Sequence, residues 1–267
     1  MKLNNFLLFS CLIFLFSCTN FKFTQEKSCS FPKETLEKGG LLNRLVNKEN
    51  LDDSYKKYIC KDIAGDRLIY PISYSSKMKF KIMGETIILS EKKFRESRIT
   101  IKDNKFNLIS KENLKRIKAE RDVYKKKIAS ISEKKYQDIK FNFPTKGIIS
   151  SEYGVKRYIN GSPRNPHLGL DIAAETGTSV IAPENGKVIF VGEFFYRGNL
   201  IIIDHGNGVI STYSHLDETF VFEGDNVLKN SKIATVGSSG RVTGPHLHFE
   251  IILIGTKVNP MLFLLKR

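Results

Sequence analysis

Pro245-His246-Leu247-His248-Phe249-Glu250-Ile251-Ile252-Leu253 alternates as an extended strand does. At a side-chain period of two, His246, His248 and Glu250 face one side, while Leu247, Phe249 and Ile251 face the other. The apolar set can pack on a core. The two imidazoles then stand together on an open face, about 6.6 Å apart at roughly 3.3 Å per residue. That spacing suits one metal ligand and one neighbouring acid or base. Gly240, Gly244 and Pro245 supply a tight approach to the strand.

Outward from this strand the texture persists. Ser179-Val180-Ile181, Lys187 to Val191, Leu200 to Ile203 and Val209 to Tyr213 are short β-prone runs separated by Gly-bearing turns. No helical period is sustained after Pro144, so residues 141–267 predict an antiparallel β sandwich or barrel-like domain. Upstream, Ser110 reads as an N-cap with Glu112 in the first turn. Leu114, Ile117, Val123, Tyr124, Ile128 and Ile131 then recur at helical spacing, which predicts a connecting helix within 109–140. Short β-prone runs between Asp66 and Leu108 predict a small N-terminal β domain over 61–108. Residues 19–60, polar and without a sustained period, read as a tether. The expected fold class is therefore mainly β, with two β domains joined by a helix.

All five histidines, at 167, 205, 215, 246 and 248, lie in the last hundred or so residues. His167-Leu168-Gly169-Leu170-Asp171 offers an imidazole and a carboxylate at i and i+4, on one side of the chain whether it is extended or helical. His, Asp and His make a donor set of two nitrogens and one oxygen, which suits zinc and leaves a position open for water. A structural zinc site would call for a fourth ligand, usually Cys, and residues 141–267 contain no Cys. His215, in Tyr213-Ser214-His215-Leu216, is placed to flank the site with His246. His205, beside Gly206-Asn207-Gly208, reads as a turn histidine.

These elements, with Ser151-Glu152-Tyr153-Gly154, Asp204-His205-Gly206-Asn207-Gly208 and Thr243-Gly244-Pro245 around them, resemble the lysostaphin/LytM-type zinc metallopeptidases. The resemblance covers about residues 141–263, a little under half of the chain. It implies that His167, Asp171 and His248 hold Zn2+, that His215 and His246 are catalytic, and that the substrate is the peptide part of peptidoglycan, its stem peptides and cross-links. Of the two histidines, one would relay a proton and the other stabilise the developing oxyanion. Degenerate LytM-type domains that activate other hydrolases lose zinc ligands, and here every position is present. Arg95 to Ile101 and the helix after it also resemble linkers in envelope members with an N-terminal β domain.

The rest of the chain bears on location. The formal net charge is +15, and the excess sits in residues 1–140, with 31 Lys+Arg against 17 Asp+Glu. Such a balance suits anionic partners, or simply reflects a composition rich in Lys, Asn, Ile and Phe. Phe6 to Phe16 is an apolar run too short to span a bilayer but right for a signal-peptide core. It closes as Leu15-Phe16-Ser17-Cys18, which resembles a lipobox and implies a signal over 1–18 with a membrane anchor at an acylated Cys18. A conventionally cleaved signal and an uncleaved anchor are the other readings. All three put the body outside the cytoplasm, in the cell envelope, and exclude nucleic acid as a partner. Cys29 and Cys60 could pair there as a disulfide or stay as thiols. Oligomeric state is not legible.

Overall fold

Apolar residues at every second position form strands here because the two faces of each strand meet different surroundings. The computed structural model describes residues 31–46, 52–62, 64–100, 109–130, 132 and 139–265. The expected signal segment 1–18 with Cys18, the region around Cys29, and Ile131 lie outside the described residues. Before the helix run β1 (Leu41–Leu45), β2 (Ile59–Asp62), β3 (Gly65–Pro71), β4 (Lys79–Ile82), β5 (Glu85–Ile88) and β6 (Glu96–Ile99). The helix is α1 (Lys111–Ile128). After it come β7 (Ile148–Ser151), β8 (Lys156–Ile159), β9 (Ser162–Arg164), β10 (Leu170–Ala173), β11 (Ser179–Ile181) and β12 (Gly186–Phe194). The chain closes with β13 (Gly198–Asp204), β14 (Val209–Thr219), β15 (Asn226–Val227), β16 (Lys232–Val236), β17 (His246–Leu253) and β18 (Thr256–Val258).

The main sheet runs in the order β15-β12-β13-β14-β17-β10-β7, antiparallel throughout, with β18 added to β17. β16 leaves this path, pairing with the far end of β14 and with β11. Alternation sorts the side chains into two clusters. Ile201, Ile203, Tyr213, Leu247, Phe249 and Ile251 point to one face and pack with Val180 of β11 and Val236 of β16. Leu200, Ile202, Ile210 and Ile252 point to the other face, where Tyr124 and Ile128 of α1 cover them. Burying a side chain of this kind contributes about 1.5–3 kcal/mol, so the two-sided packing dominates the stability of the sheet. The chain is mainly β, as its sequence predicts.

Ser110 caps α1, its side chain accepting from the Asn113 N–H at 3.1 Å. The helix stops at Ile128, well short of residue 140. Of the six apolar positions expected to form its face, Tyr124 and Ile128 are buried, whereas Leu114 and Val123 are exposed. The buried positions lie in the C-terminal half of the helix, while Arg116 nearer its start reaches β12 through Glu193 at 3.4 Å, and Val123, one residue before Tyr124, is turned off the buried stripe.

Ordered backbone extends into 19–60, the stretch read as a tether. β1 joins β3 and β2 in a three-stranded sheet. Leu42 packs with Leu68, Ile72, Ile82 and Ile87 inside the N-terminal unit, while its neighbour Leu41 belongs to the core of the large sheet. Two adjacent apolar residues buried on opposite faces produce no alternation, which is why the strand left no period to read. The β4–β5 hairpin turns at Met83 and Gly84, both at positive φ (46° and 81°), the backbone that a two-residue turn between twisted strands requires. β6, expected in the small N-terminal domain, instead pairs in parallel with β8, stitching the linker onto the second unit. Cys60 is disulfide-bonded. Among the described residues no helix is long and apolar enough to cross a membrane.

His205 is a core histidine. Its Nδ1 lies 2.8 Å from the Asn185 carbonyl oxygen, so that nitrogen donates. Its Nε2 lies 2.7 Å from Ser211 Oγ, and its ring packs on Phe141 at 4.7 Å. Burial pushes His205 down to about 4. Between roughly pH 6.5 and 4 the unfolded chain therefore takes up a proton that the folded chain refuses, and stability falls as the pH falls. The expected contribution is about 3 kcal/mol, fully developed near pH 4 and absent above pH 7. Denaturant unfolding from pH 7 to 4.5 checks it: His205→Asn should flatten the pH dependence relative to the unaltered protein, and parallel curves would show that His205 carries none of it.

Candidate metal centre

β17 delivers its even-numbered side chains to the face that α1 covers at one end, and the histidines occupy the uncovered part. In the antiparallel register His248 lies opposite Asp171 of β10 on one side and Ser214 of β14 on the other. Period-two geometry therefore puts an imidazole and a carboxylate on neighbouring strands facing the same way. His167 comes from the loop before β10, held by backbone hydrogen bonds to Gly154 and Val155. Gly169 lets that loop close, since a Cβ there would stand 2.6 Å from Cε1 of His248 and 2.9 Å from the Phe249 carbonyl oxygen.

Three atoms converge. His167 Nε2 is 2.9 Å from Asp171 Oδ1 and 3.1 Å from His248 Nδ1, and His248 Nδ1 is 2.7 Å from Asp171 Oδ1. The far side of each ring is engaged. His167 Nδ1 donates to the Glu152 carbonyl oxygen at 2.8 Å, and His248 Nε2 donates to Glu250 Oε1 at 3.0 Å. In their neutral forms both rings thus turn a lone pair, and Asp171 a carboxylate oxygen, toward one point. Three acceptors this close repel unless a proton or a metal ion lies among them, and two nitrogens with one oxygen fit zinc. These three residues form a group able to hold a metal ion. Burial pushes His167 down. Burial alone would raise the Asp171 carboxyl, but when the ring of His167 or His248 instead turns an N–H toward it, as either can in the metal-free protein, that hydrogen bond and its charge hold it well below the usual carboxylate range.

His215 and His246 stand beside this triad. Their rings are 4.9 Å apart, and His246 Nε2 is 3.9 Å from Asp171 Oδ1. Each has Nδ1 on a backbone carbonyl, Ser239 for His215 and Gly244 for His246, both at 2.9 Å. Nε2 is the outward nitrogen of both. β14 inserts an extra residue against β13 between Tyr213 and Leu216, and beyond this bulge it exchanges β17 for β16 as its partner. His215 sits at the bulge with φ +66°, a left-handed conformation that a residue with a Cβ adopts only under constraint. Burial and the neighbouring His248 push His215 down to about 3, so it is neutral at pH 7.

The structure thus brings together all five residues singled out by the sequence and leaves His205 elsewhere in the core. What sequence reading missed is the layer behind them. Glu250 is buried and accepts from Arg197 Nη2 at 3.1 Å and Lys257 Nζ at 2.7 Å as well as from His248. Burial would raise its carboxyl, and the two cations hold it well below its ordinary value. The position of Glu250 two residues after His248 was the available signal. Arg197 and Lys257 gave none. A cleft of about 700 Å3 opens beside His167, His248 and Arg157, and Ser73, Tyr74 and Ser75 of the N-terminal unit form its other wall.

Sheet and donor set together agree with the resemblance to lysostaphin/LytM-type peptidases read from the sequence. Residues 165–260 match peptidase family M23. The peptidoglycan DD-endopeptidase ShyA of Vibrio cholerae is 40% identical over 114 residues, 42% of this chain and 26% of ShyA. The murein hydrolase activator NlpD of Escherichia coli is 37% identical over 128 residues, 48% of this chain and 32% of NlpD. The chain therefore spans only about a quarter to a third of these curated relatives. A solved structure of an M23 peptidase candidate from Pseudomonas aeruginosa is 26% identical and superposes with a TM-score of 0.65, over 86% of this chain and 95% of that one.

The close approach at Gly169 has a measurable consequence. Gly169→Ala should force the His248 ring away from His167 and Asp171 while leaving the sheet folded. Equilibrium dialysis against zinc should then show at least about tenfold weaker binding, the scale on which displaced metal-site geometry acts. Unchanged affinity would mean that the loop relaxes instead.

Proposed function

We propose that this protein is a zinc-dependent endopeptidase of the cell envelope that hydrolyses peptide bonds in peptidoglycan. The observation that carries the reading is the triad of acceptor atoms from His167, Asp171 and His248, with two further imidazoles turned toward it. His167 through Nε2, Asp171 through Oδ1 and His248 through Nδ1 would hold the ion. The chemistry such an ion supplies is Lewis-acid polarisation of a carbonyl and a lowered pKa for water, to about 7. His215 and His246 supply the proton traffic. With Nδ1 tied to a carbonyl, each neutral ring can accept a proton at Nε2 and, once protonated, donate it from the same atom to an oxyanion or a leaving amine. The bulge at His215 fixes that ring before substrate arrives, so no reorganisation is needed during reaction.

A second reading, a non-hydrolytic activator, is favoured by one observation: identity to NlpD, 37%, is nearly that to ShyA, 40%. Overall similarity does not separate the two. The donor set supports the endopeptidase, because a domain that only binds a partner has no need of three converging acceptors or of a strained histidine beside them.

Two sets of variants test the proposal. Replacing His167, Asp171 or His248 by Ala should remove bound zinc and activity together. His215→Ala should keep zinc and lower turnover about 10²–10⁴-fold, the usual contribution of a proton-transferring side chain. The assay is release of new amino groups from purified peptidoglycan, with and without a chelator. Chelator-sensitive release supports the endopeptidase. A zinc-loaded protein that releases nothing yet stimulates another wall hydrolase would establish the activator.

A further inference from the structure

The sheet face that carries His246 and His248 also seats α1, and one helical side chain bridges the two. Tyr124 is buried. The Arg197 guanidinium lies 4.2 Å over its ring, with Lys257 Nζ at 5.4 Å. Its hydroxyl donates to Glu250 Oε2. The other oxygen, Oε1, accepts from His248 Nε2, whose ring presents Nδ1 to Asp171 and His167. Two hydrogen bonds therefore lead from α1 to the triad. Arg197 extends the bridge: its carbonyl accepts from the His215 N–H at 2.8 Å and its Nη1 lies 3.2 Å from Ser214 Oγ. Burial keeps the phenol protonated, so it acts as a donor.

We propose that Tyr124 is a positioning residue for the metal centre, its hydroxyl fixing the Glu250 carboxylate that orients His248. The inference rests on reading the triad as a zinc site. Tyr124 lies outside the residues that match the peptidase family, 165–260, so the site would be completed by the connecting helix. The argument is geometric. Glu250 Oε2 has Thr212 Oγ1 at 3.2 Å and Arg197 at 3.2 Å besides the phenol. Without the phenol Oε2 keeps only Thr212 and Arg197, and the pull of Arg197 and Lys257 on the carboxylate is less opposed. His248 then loses the acceptor that keeps the proton on Nε2 and the lone pair on Nδ1. Partners of this kind beyond the ligands typically change metal affinity about 10–100-fold. Because the phenol acts through Glu250, the lower end applies. Linkage is reciprocal, so bound zinc should also tighten α1 on the sheet.

Tyr124→Phe tests this, because it keeps the ring stacked on Arg197 and removes only the hydroxyl. Glu250 itself is a poorer target, since its loss strands Arg197 and Lys257 without a counter-charge. Zinc affinity is read by competition with a chromophoric chelator, and the His248 tautomer by side-chain 15N NMR of the metal-free protein in mildly alkaline solution. The expected result is about tenfold weaker zinc binding and loss of the single Nε2–H tautomer, with slower zinc-induced hydrogen exchange of α1 amides seen in the unaltered protein and absent from the variant. Unchanged affinity and tautomer, with any loss confined to melting temperature, would reduce Tyr124 to a packing residue and overturn the proposal. If the unaltered protein binds no zinc, the reading of the triad fails instead, and the metal-free tautomer comparison still decides the role of Tyr124.

Discussion

Everything around the centre follows from one electrostatic constraint: three acceptor atoms, His167 Nε2, Asp171 Oδ1 and His248 Nδ1, are held within 3.1 Å of one another. Unliganded acceptors would separate if they could. They cannot, because each histidine is tethered on its far side, His167 by the Glu152 carbonyl and His248 by Glu250. The protein meets the repulsion with cross-strand hydrogen bonds and packing. On the proposed reading, these donors are preorganised for a cation rather than assembled on binding.

The sheet achieves this by giving one face two occupations. On β17 the odd residues Leu247, Phe249 and Ile251 enter the apolar core, which pins the strand so that the even residues cannot rotate out of register. Those even residues pass from His246 and His248 through Glu250 to Ile252. Ile252 lies under α1, Glu250 is the junction, and the imidazoles stand beyond it. Polar chemistry is thereby kept next to an apolar interface, where a buried carboxylate with two cations is tolerable because every oxygen is paired. The bulge on β14 serves the same end, turning His215 toward a neighbouring strand's histidines at the point where β14 changes partners.

Much of this was legible in the sequence. Period two over residues 246–253 marked the strand and which side chains share a face, whereas the register that sets Asp171 opposite His248 came only with the pairing of β10 and β17. The N-cap of α1 was legible because Ser110 satisfies a local need. Interactions between distant segments were not. Leu41 and Leu42 are buried on opposite faces by two different units, so β1 carries no periodic signal. β6 is a strand whose partner lies some sixty residues away. Arg197, Lys257 and Tyr124 are ordinary surface-type or helix residues until folding gathers them around Glu250.

The most direct test of the centre is a crystal structure with anomalous scattering recorded at the zinc edge. The account requires a single strong peak touching His167 Nε2, Asp171 Oδ1 and His248 Nδ1, with Glu250 still bonded to His248 Nε2 and a coordination position left open toward His215 and His246. A peak elsewhere, or His248 turned to bind through Nε2, would contradict it.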